Sequence, residues 1–251
     1  MSETDIQAIA GALAAARRKR EPVDAAGFAG GPRNRADAYA VQQAVAAEIA
    51  PAAAFKTGRK GPGDEPIMAP ILAGTVRDSG AAFNRDELFV IGIELEIGFR
   101  VNRPLPDPGR ADFEDALRDC ISVVPAIEIV DTRLADPEAA GEFWQLADNQ
   151  NNGGLVCGTP VEAWHDLDME AADIELSIGG DTVNSGRHHV PGGSAFDVLC
   201  AFARIAGNHC GGILPGQTII TGSLMGCHYL EPGQNVSGTI AGLGHVEVGF
   251  P

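Results

Sequence analysis

No stretch of the chain approaches the roughly 20 consecutive apolar residues that a membrane-spanning helix needs, so no span is expected. Positive charge is scarce as well. Lys and Arg number 18 against 34 Asp and Glu, for a formal net charge of −16. Phosphate backbones are bound by basic surface, so this balance argues against a nucleic-acid partner and disfavours an anionic membrane. A small anionic substrate would need a local positive centre. The five cysteines (Cys120, Cys157, Cys200, Cys210, Cys227) are odd in number and form no CxxC pair. That pattern argues against a disulfide framework and suits free thiols in a reducing cytosol. The N-terminus also lacks the order of a signal peptide: Glu3 and Asp5 come first, and the basic run follows the apolar part. A cytoplasmic protein is expected.

Ready-made catalytic motifs are missing too. "GGILPGQ" does not sit between a strand and a helix with dinucleotide spacing, and there is no P-loop. "TGSLMG" is not a GxSxG nucleophile elbow. The six histidines never form HxxxH or HxH, and none precedes His165. Adjacent His188 and His189 would point to opposite faces of a strand. Trp144 and Trp164 read as packing residues.

What is present is an ordinary globular composition over 251 residues, 45% hydrophobic and 21% charged. "TDIQAIAGALAAARRKR" has helical spacing behind a Thr4 or Asp5 cap. "NRADAYAVQQAVAAEIA" is a second helix, stopped by Pro51. From about residue 70 the texture changes to short β-type runs rich in Gly, interrupted by helices at "FEDALRDC" and "SAFDVLCAFARIAGNHC". Phe196, Leu199, Cys200, Phe202, Ala203 and Ile205 form a candidate buried stripe on the last of these. Helices followed by a strand-dominated body predict α+β, not alternating βαβ. The expected division is an N-terminal helical lobe with a lysine-bearing loop over 1–69 and a catalytic body over 70–251.

The chemistry concentrates in "GIELEIGFRV", Gly92 to Val101. Strict alternation predicts a strand with one buried face. Glu94 and Glu96 then share a face, with Cα atoms roughly 6.5 Å apart. Glu128, in "VVPAIEIVDTR", is likewise flanked by isoleucines. Carboxylates on buried strands must be paired, protonated or metal-bound, and only Arg100 and Arg133 are near in sequence. A hard divalent cation, Mg²⁺ or Mn²⁺, would take three carboxylate oxygens and keep positions for substrate. The alternative reading is a solvated face of an amphipathic strand.

These segments resemble the fumarylacetoacetate hydrolase superfamily, in particular its 2-keto-4-pentenoate hydratase / 4-oxalocrotonate decarboxylase branch. "GIELEIGFRV" and, 34 residues from Glu94 to Glu128, "AIEIVDTR" are similar to that branch's V-E-x-E-I-A-F and A-x-E-I-x-D-S/T-R strands. "AFKTGRKGPGDEPIMAPIL" resembles its lysine segment and "LADNQNNGGLVCG" its A-D-N-x-S-S-G stretch. "LPGQTIITGSL" and "GLGHVEVGF" follow in the same order. The resemblance implies a mixed β-roll body of that family's type with a small N-terminal helical lobe. It implies Glu94, Glu96 and Glu128 as metal ligands, Lys56 as the catalytic lysine, and Asp148, Asn149 and Ser223 as pocket residues contacting substrate. The implied substrate is a small 2-oxo or 2-hydroxy-dienoic acid from aromatic or steroid breakdown, hydrated to a 4-hydroxy-2-oxo acid. A homo-oligomer is expected.

The chain also departs from the pattern. Arg59 and Lys60 follow the lysine where small or hydroxyl residues are usual, and "IMA" (Ile67 to Ala69) replaces an aromatic D-F/Y-G. A decarboxylase with the same metal logic is the first alternative. A non-catalytic structural partner of such an enzyme is another. A C–C hydrolase, which needs a His and acidic pair to activate water, ranks third.

Overall fold

The structure, a computed structural model, describes residues 1–251. Helices α1 (Glu3–Lys19) and α2 (Arg35–Ile49) open the chain. Ser2 caps α1, upstream of the expected Thr4 or Asp5, because Asp5 serves as the returning arm of a capping box. The Asn34 side chain caps α2 by accepting the Asp37 N–H. Strands β1 (Ala52–Gly58), β2 (Ile67–Leu72), β3 (Val76–Asp78), β4 (Ala81–Ala82) and β5 (Gly92–Val101) follow. Helix α3 (Phe113–Arg118) leads into β6 (Ile121–Val130), and short helices α4 (Pro137–Ala140) and α5 (Glu142–Ala147) into β7 (Asn152–Cys157). Then come β8 (Ala171–Ile178), β9 (Asp181–His189), α6 (Ala195–Ile205), β10 (Thr218–Ser223), β11 (His228–Tyr229), β12 (Gln234–Ile240) and β13 (Gly244–Phe250).

Two sheets form the body. One runs β2-β1-β10-β5-β6-β7-β3 with β11 beside β5, and the other runs β4-β13-β12-β8-β9. Parallel pairs β1–β10, β3–β7 and β4–β13 sit among antiparallel ones, so both sheets are mixed. The fold is α+β, a mixed β-roll carrying a small N-terminal helical lobe. The lobe is smaller than residues 1–69, however. β1 and β2 are full members of the larger sheet, so a boundary at residue 69 cuts through β2. Lys56 accordingly lies on a strand and not in a loop.

The main core lies between the sheets and under α6. Ile93, Leu95, Ile97 and Phe99 of β5 meet Phe196, Leu199 and Phe202 of α6 and Val236, Val246 and Val248 of the second sheet in this core. Ile205, the last residue of the expected α6 stripe, is 37% exposed because the helix ends there. The opposite face of the larger sheet is covered too, against the expectation of one buried face. Ala54, Ile71, Ala126, Leu155, Cys157 and Ile220 cluster on it. Three of them, Ile220, Ala126 and Leu155, stand directly opposite Lys56, Glu96 and Glu128. Gly98 lets the sheet curl over this face: a Cβ there would lie 3.0 Å from Val124 Cγ2. The lobe has its own core, in which Ile9, Leu13, Val41 and Val45 pack with Leu72 of β2 and Trp144 of α5. Trp144 and Trp164 are both buried packing residues. No helix is long and apolar enough to cross a membrane.

Candidate active site

Adjacent strands bring the three glutamates together. Glu94 stands directly opposite Glu128 in the β5–β6 ladder, and Glu96 is opposite Ala126 on the same face. One carboxylate oxygen from each lies within 4.8 Å of the others. Glu96 and Glu128 are 1% and 0% exposed, so the solvated-face reading does not hold for them. Two unit charges at such a separation repel by roughly 3 kcal/mol at an effective dielectric of about 20. Some polar support is visible. Glu96 Oε2 accepts the Gly222 N–H at 2.6 Å. Glu128 Oε1 accepts from Asn152 Nδ2 at 2.8 Å and from Lys56 Nζ at 2.6 Å. Glu128 Oε2 is buried with no partner. An orphaned carboxylate oxygen facing two further carboxylates is the donor set a hard cation takes, so the residues fit a divalent ion.

Lys56 reaches this site because the sheet curls. Three strand spacings separate β1 from β6 in the order β1-β10-β5-β6, roughly 14 Å on a flat sheet. The salt bridge closes that gap, with the lysine side chain 12% exposed and Glu128 fully buried. Lys56 Nζ also donates to the Gln150 carbonyl at 3.2 Å. Gln150 also lines a cleft of about 680 Å³, together with Gly58, Arg59, Lys60, Ile67 and Phe143 among others.

Titration follows from this crowding. Burial, then the neighbouring Glu128 carboxylate, pushes Glu94 up to about 7, while Lys56 pulls the other way. Burial and the carboxylates of Glu128 and Glu94 hold Glu96 well above the usual range. For Lys56, burial disfavours the ammonium, but Glu128, Glu94 and Glu96 outweigh it and raise the group. The three carboxylates around the ammonium thus favour its protonated form.

The other expected pocket residues sit differently. Asp148 is 1% exposed, with both carboxylate oxygens engaged: Arg133 Nε donates to one at 2.6 Å and the Arg133 N–H to the other at 2.8 Å. Thr132 Oγ1 donates to it as well. Asn149 begins a run of three left-handed residues, Asn149, Gln150 and Asn151, at φ 54°, 53° and 57°. Its side chain is buried and its Oδ1 has no partner. Ser223 stands opposite Glu96 in the β10–β5 register, and its hydroxyl donates to the Gly226 carbonyl at 3.0 Å. Sequence reasoning missed Asn152, the Gly222 N–H and the Gln150 carbonyl. Only Asn152 left a signal, a polar side chain at the mouth of the apolar "GGLVC".

The chain matches the fumarylacetoacetate (FAA) hydrolase C-terminal family over residues 49–250. It belongs to that family. Among curated relatives, "TodF product hydratase" of Pseudomonas putida is 26% identical over 193 residues, covering 74% of this chain and 69% of that protein. The "2-keto-4-pentenoate hydratase" of Paraburkholderia xenovorans is 29% identical over 164 residues, covering 63% and 58%. The match thus spans less than two thirds of the latter protein's length. A "4-oxalocrotonate decarboxylase" of a Pseudomonas species is 29% identical over 159 residues, covering 61% and 57%. The FAA hydrolase fold is shared end to end with the 4-oxalocrotonate decarboxylase of Pseudomonas putida G7 solved with magnesium and adipate. The TM-score is 0.82 at 21% identity, over 100% of this chain and 99% of that one.

Proposed function

We propose that the protein is a divalent-cation-dependent lyase of the hydratase kind. It adds water to a 2-hydroxy-2,4-dienoate, giving a 4-hydroxy-2-oxo acid in aromatic or steroid catabolism. One observation carries this reading: three glutamates converge, two of them buried and one of these with an orphaned oxygen, and a lysine bridges Glu128. The names of the curated relatives support the substrate class.

Glu94, Glu96 and Glu128 would hold the ion, Mg²⁺ or Mn²⁺. Once bound, it would supply Lewis-acid stabilisation of negative charge developing on the substrate's 2-oxygen. Lys56 holds a proton at Nζ, in the form its carboxylate neighbours favour, and can pass it to C5 of the dienol as the 2-hydroxyl gives up its own proton and the double bond moves to C3–C4. The resulting enone accepts water at C4. Ala54, Ile71, Leu155 and Ile220 form the apolar wall around Lys56 and the glutamates and keep bulk water from that proton. Asn149 and Ser223 remain candidates for substrate contact. Asp148, with its carboxylate already engaged, braces the turn beneath Lys56.

Decarboxylation is the second reading, because one of the relatives carries that name at the same 29% identity. The two separate cleanly in the cuvette. Turnover of 2-hydroxypenta-2,4-dienoate with and without Mg²⁺, beside 4-oxalocrotonate, is followed by loss of the dienol absorption and by CO₂. Mg²⁺-dependent loss without CO₂ supports the hydratase, and CO₂ from 4-oxalocrotonate replaces it with the decarboxylase. No turnover of either, in protein that purifies without metal, leaves only the structural-partner reading.

A further inference from the structure

The run Asn149-Gln150-Asn151 is unusual backbone. Three consecutive non-glycine residues hold left-handed φ values. Asn adopts this region with some ease, but Gln does not. Such backbone persists only where its surroundings over-determine it, and it gathers at functional sites.

The surroundings here do so from both ends. Arg133 is fully buried and grips Asp148 three ways: through its backbone N–H, through Nε, and through Nη2 to the Asp148 carbonyl at 2.9 Å. At the other end the Asp131 N–H bonds the Asn151 carbonyl at 2.8 Å. Asn151 Nδ2 is tied to Gln145 Oε1 at 3.0 Å. Asn152, next along, donates to Glu128. A right-handed turn would not keep this path. The product of the strained path is one polar group: the Gln150 carbonyl, which accepts from Lys56 Nζ at 3.2 Å. It is the second acceptor for that ammonium besides Glu128.

The geometry points to Gln150 as a positioning residue for Lys56. The clamped left-handed turn presents its carbonyl so that the ammonium is held in one direction, between that carbonyl and Glu128. Glu128 alone would let Nζ pivot. As a role in proton transfer this rests on the lyase reading. The holding of Nζ itself does not.

Gln150→Gly separates the two. Glycine adopts left-handed φ without strain but other regions just as readily, so the chain still folds, while the peptide at 150 is free to leave the turn and its carbonyl loses its fixed aim. The expected result is a melting temperature no lower than wild type, kcat on the dienoate down tenfold or more, and KM within about twofold. Gln150→Asn, tolerant of the same region, should retain kcat within about threefold. A merely structural role predicts instead that kcat follows stability. Full kcat in Gln150→Gly, or a loss that tracks a fall in melting temperature, overturns the proposal.

A second readout needs no turnover. The chain has only three lysines, Lys19, Lys56 and Lys60, and Lys19 and Lys60 are exposed. Reductive methylation of the native protein with formaldehyde and cyanoborohydride, read by peptide mass spectrometry, gives the rate at Lys56 against those two internal standards. Gln150→Gly should raise the relative rate at Lys56 threefold or more. An unchanged ratio overturns the positioning role. A changed ratio in a protein that turns over neither dienoate leaves the positioning intact and removes the lyase reading.

Discussion

Lys56 carries the sharpest residue-scale consequence. Its Nζ bridges Glu128 at 2.6 Å inside the curl of the larger sheet, while Lys60, four positions on, is exposed at the rim of the cleft. Lys56→Met keeps the apolar stem and removes the proton. Turnover should fall by about 10²–10⁴, the range for a general acid–base group, while Lys60→Met leaves it nearly unchanged. Full activity in Lys56→Met ends the catalytic assignment. The three glutamates were legible because alternation put Glu94 and Glu96 on one face and because Glu128 stands between Ile127 and Ile129 in a second apolar run. What supports them was not. The Gly222 N–H and the Gln150 carbonyl are backbone groups, which a side-chain motif cannot show. Nor was the Asp148 ion pair visible, because its buried partner Arg133 sits fifteen positions away in sequence, across α4 and α5.

Between elements, the joint of lobe and body turns on one buried amide. Gln42 of α2 donates to the Met68 carbonyl of β2 at 3.1 Å and to the Leu146 carbonyl of α5 at 2.6 Å, and its Oε1 faces His209 Nε2 at 2.8 Å. The two helices were readable from periodicity and caps. β1 was not, because "AAAFKTG" has almost none of the β-branched and aromatic residues that mark strands; its pairing with β10 across the chain decides it. The joint makes stability depend on pH. Burial lowers His209 to about 4 from 6.5, so the unfolded chain takes up that proton first. The contribution of neutral His209 is full above pH 6.5 and is lost as pH falls towards 4, at up to roughly 1.4 kcal/mol per pH unit. Wild type should therefore exceed His209→Gln in urea midpoint at pH 7, with the gap closing by pH 5. A gap that stays constant rules out this titration.

At the scale of the whole molecule, an acidic chain of net charge −16 concentrates three carboxylates, two of them buried, at one point. Its linkage runs opposite to that of His209. Glu94 rises to about 7 from 4.5 on folding, so its protonated form favours the fold. That contribution is full below pH 4.5 and is lost as pH climbs through 7. A divalent ion should reverse the loss, since it binds the ionised carboxylates and competes with their protons. At a hundredfold excess over Kd, binding to the folded state alone adds about 2.7 kcal/mol. For a chain of this size that is a rise of about 5–10 °C in Tm. Mg²⁺ or Mn²⁺ should give that rise at pH 8 and less than half of it at pH 5, against NaCl of matched ionic strength to remove general screening of the surface charge. Glu128→Gln keeps the shape of the side chain and removes one ligand charge, and it should abolish the ion-specific rise at both pH values. A rise of equal size at pH 5 and pH 8, or one that survives in Glu128→Gln, would mean that the ion acts on the acidic surface and that these glutamates are not a metal centre.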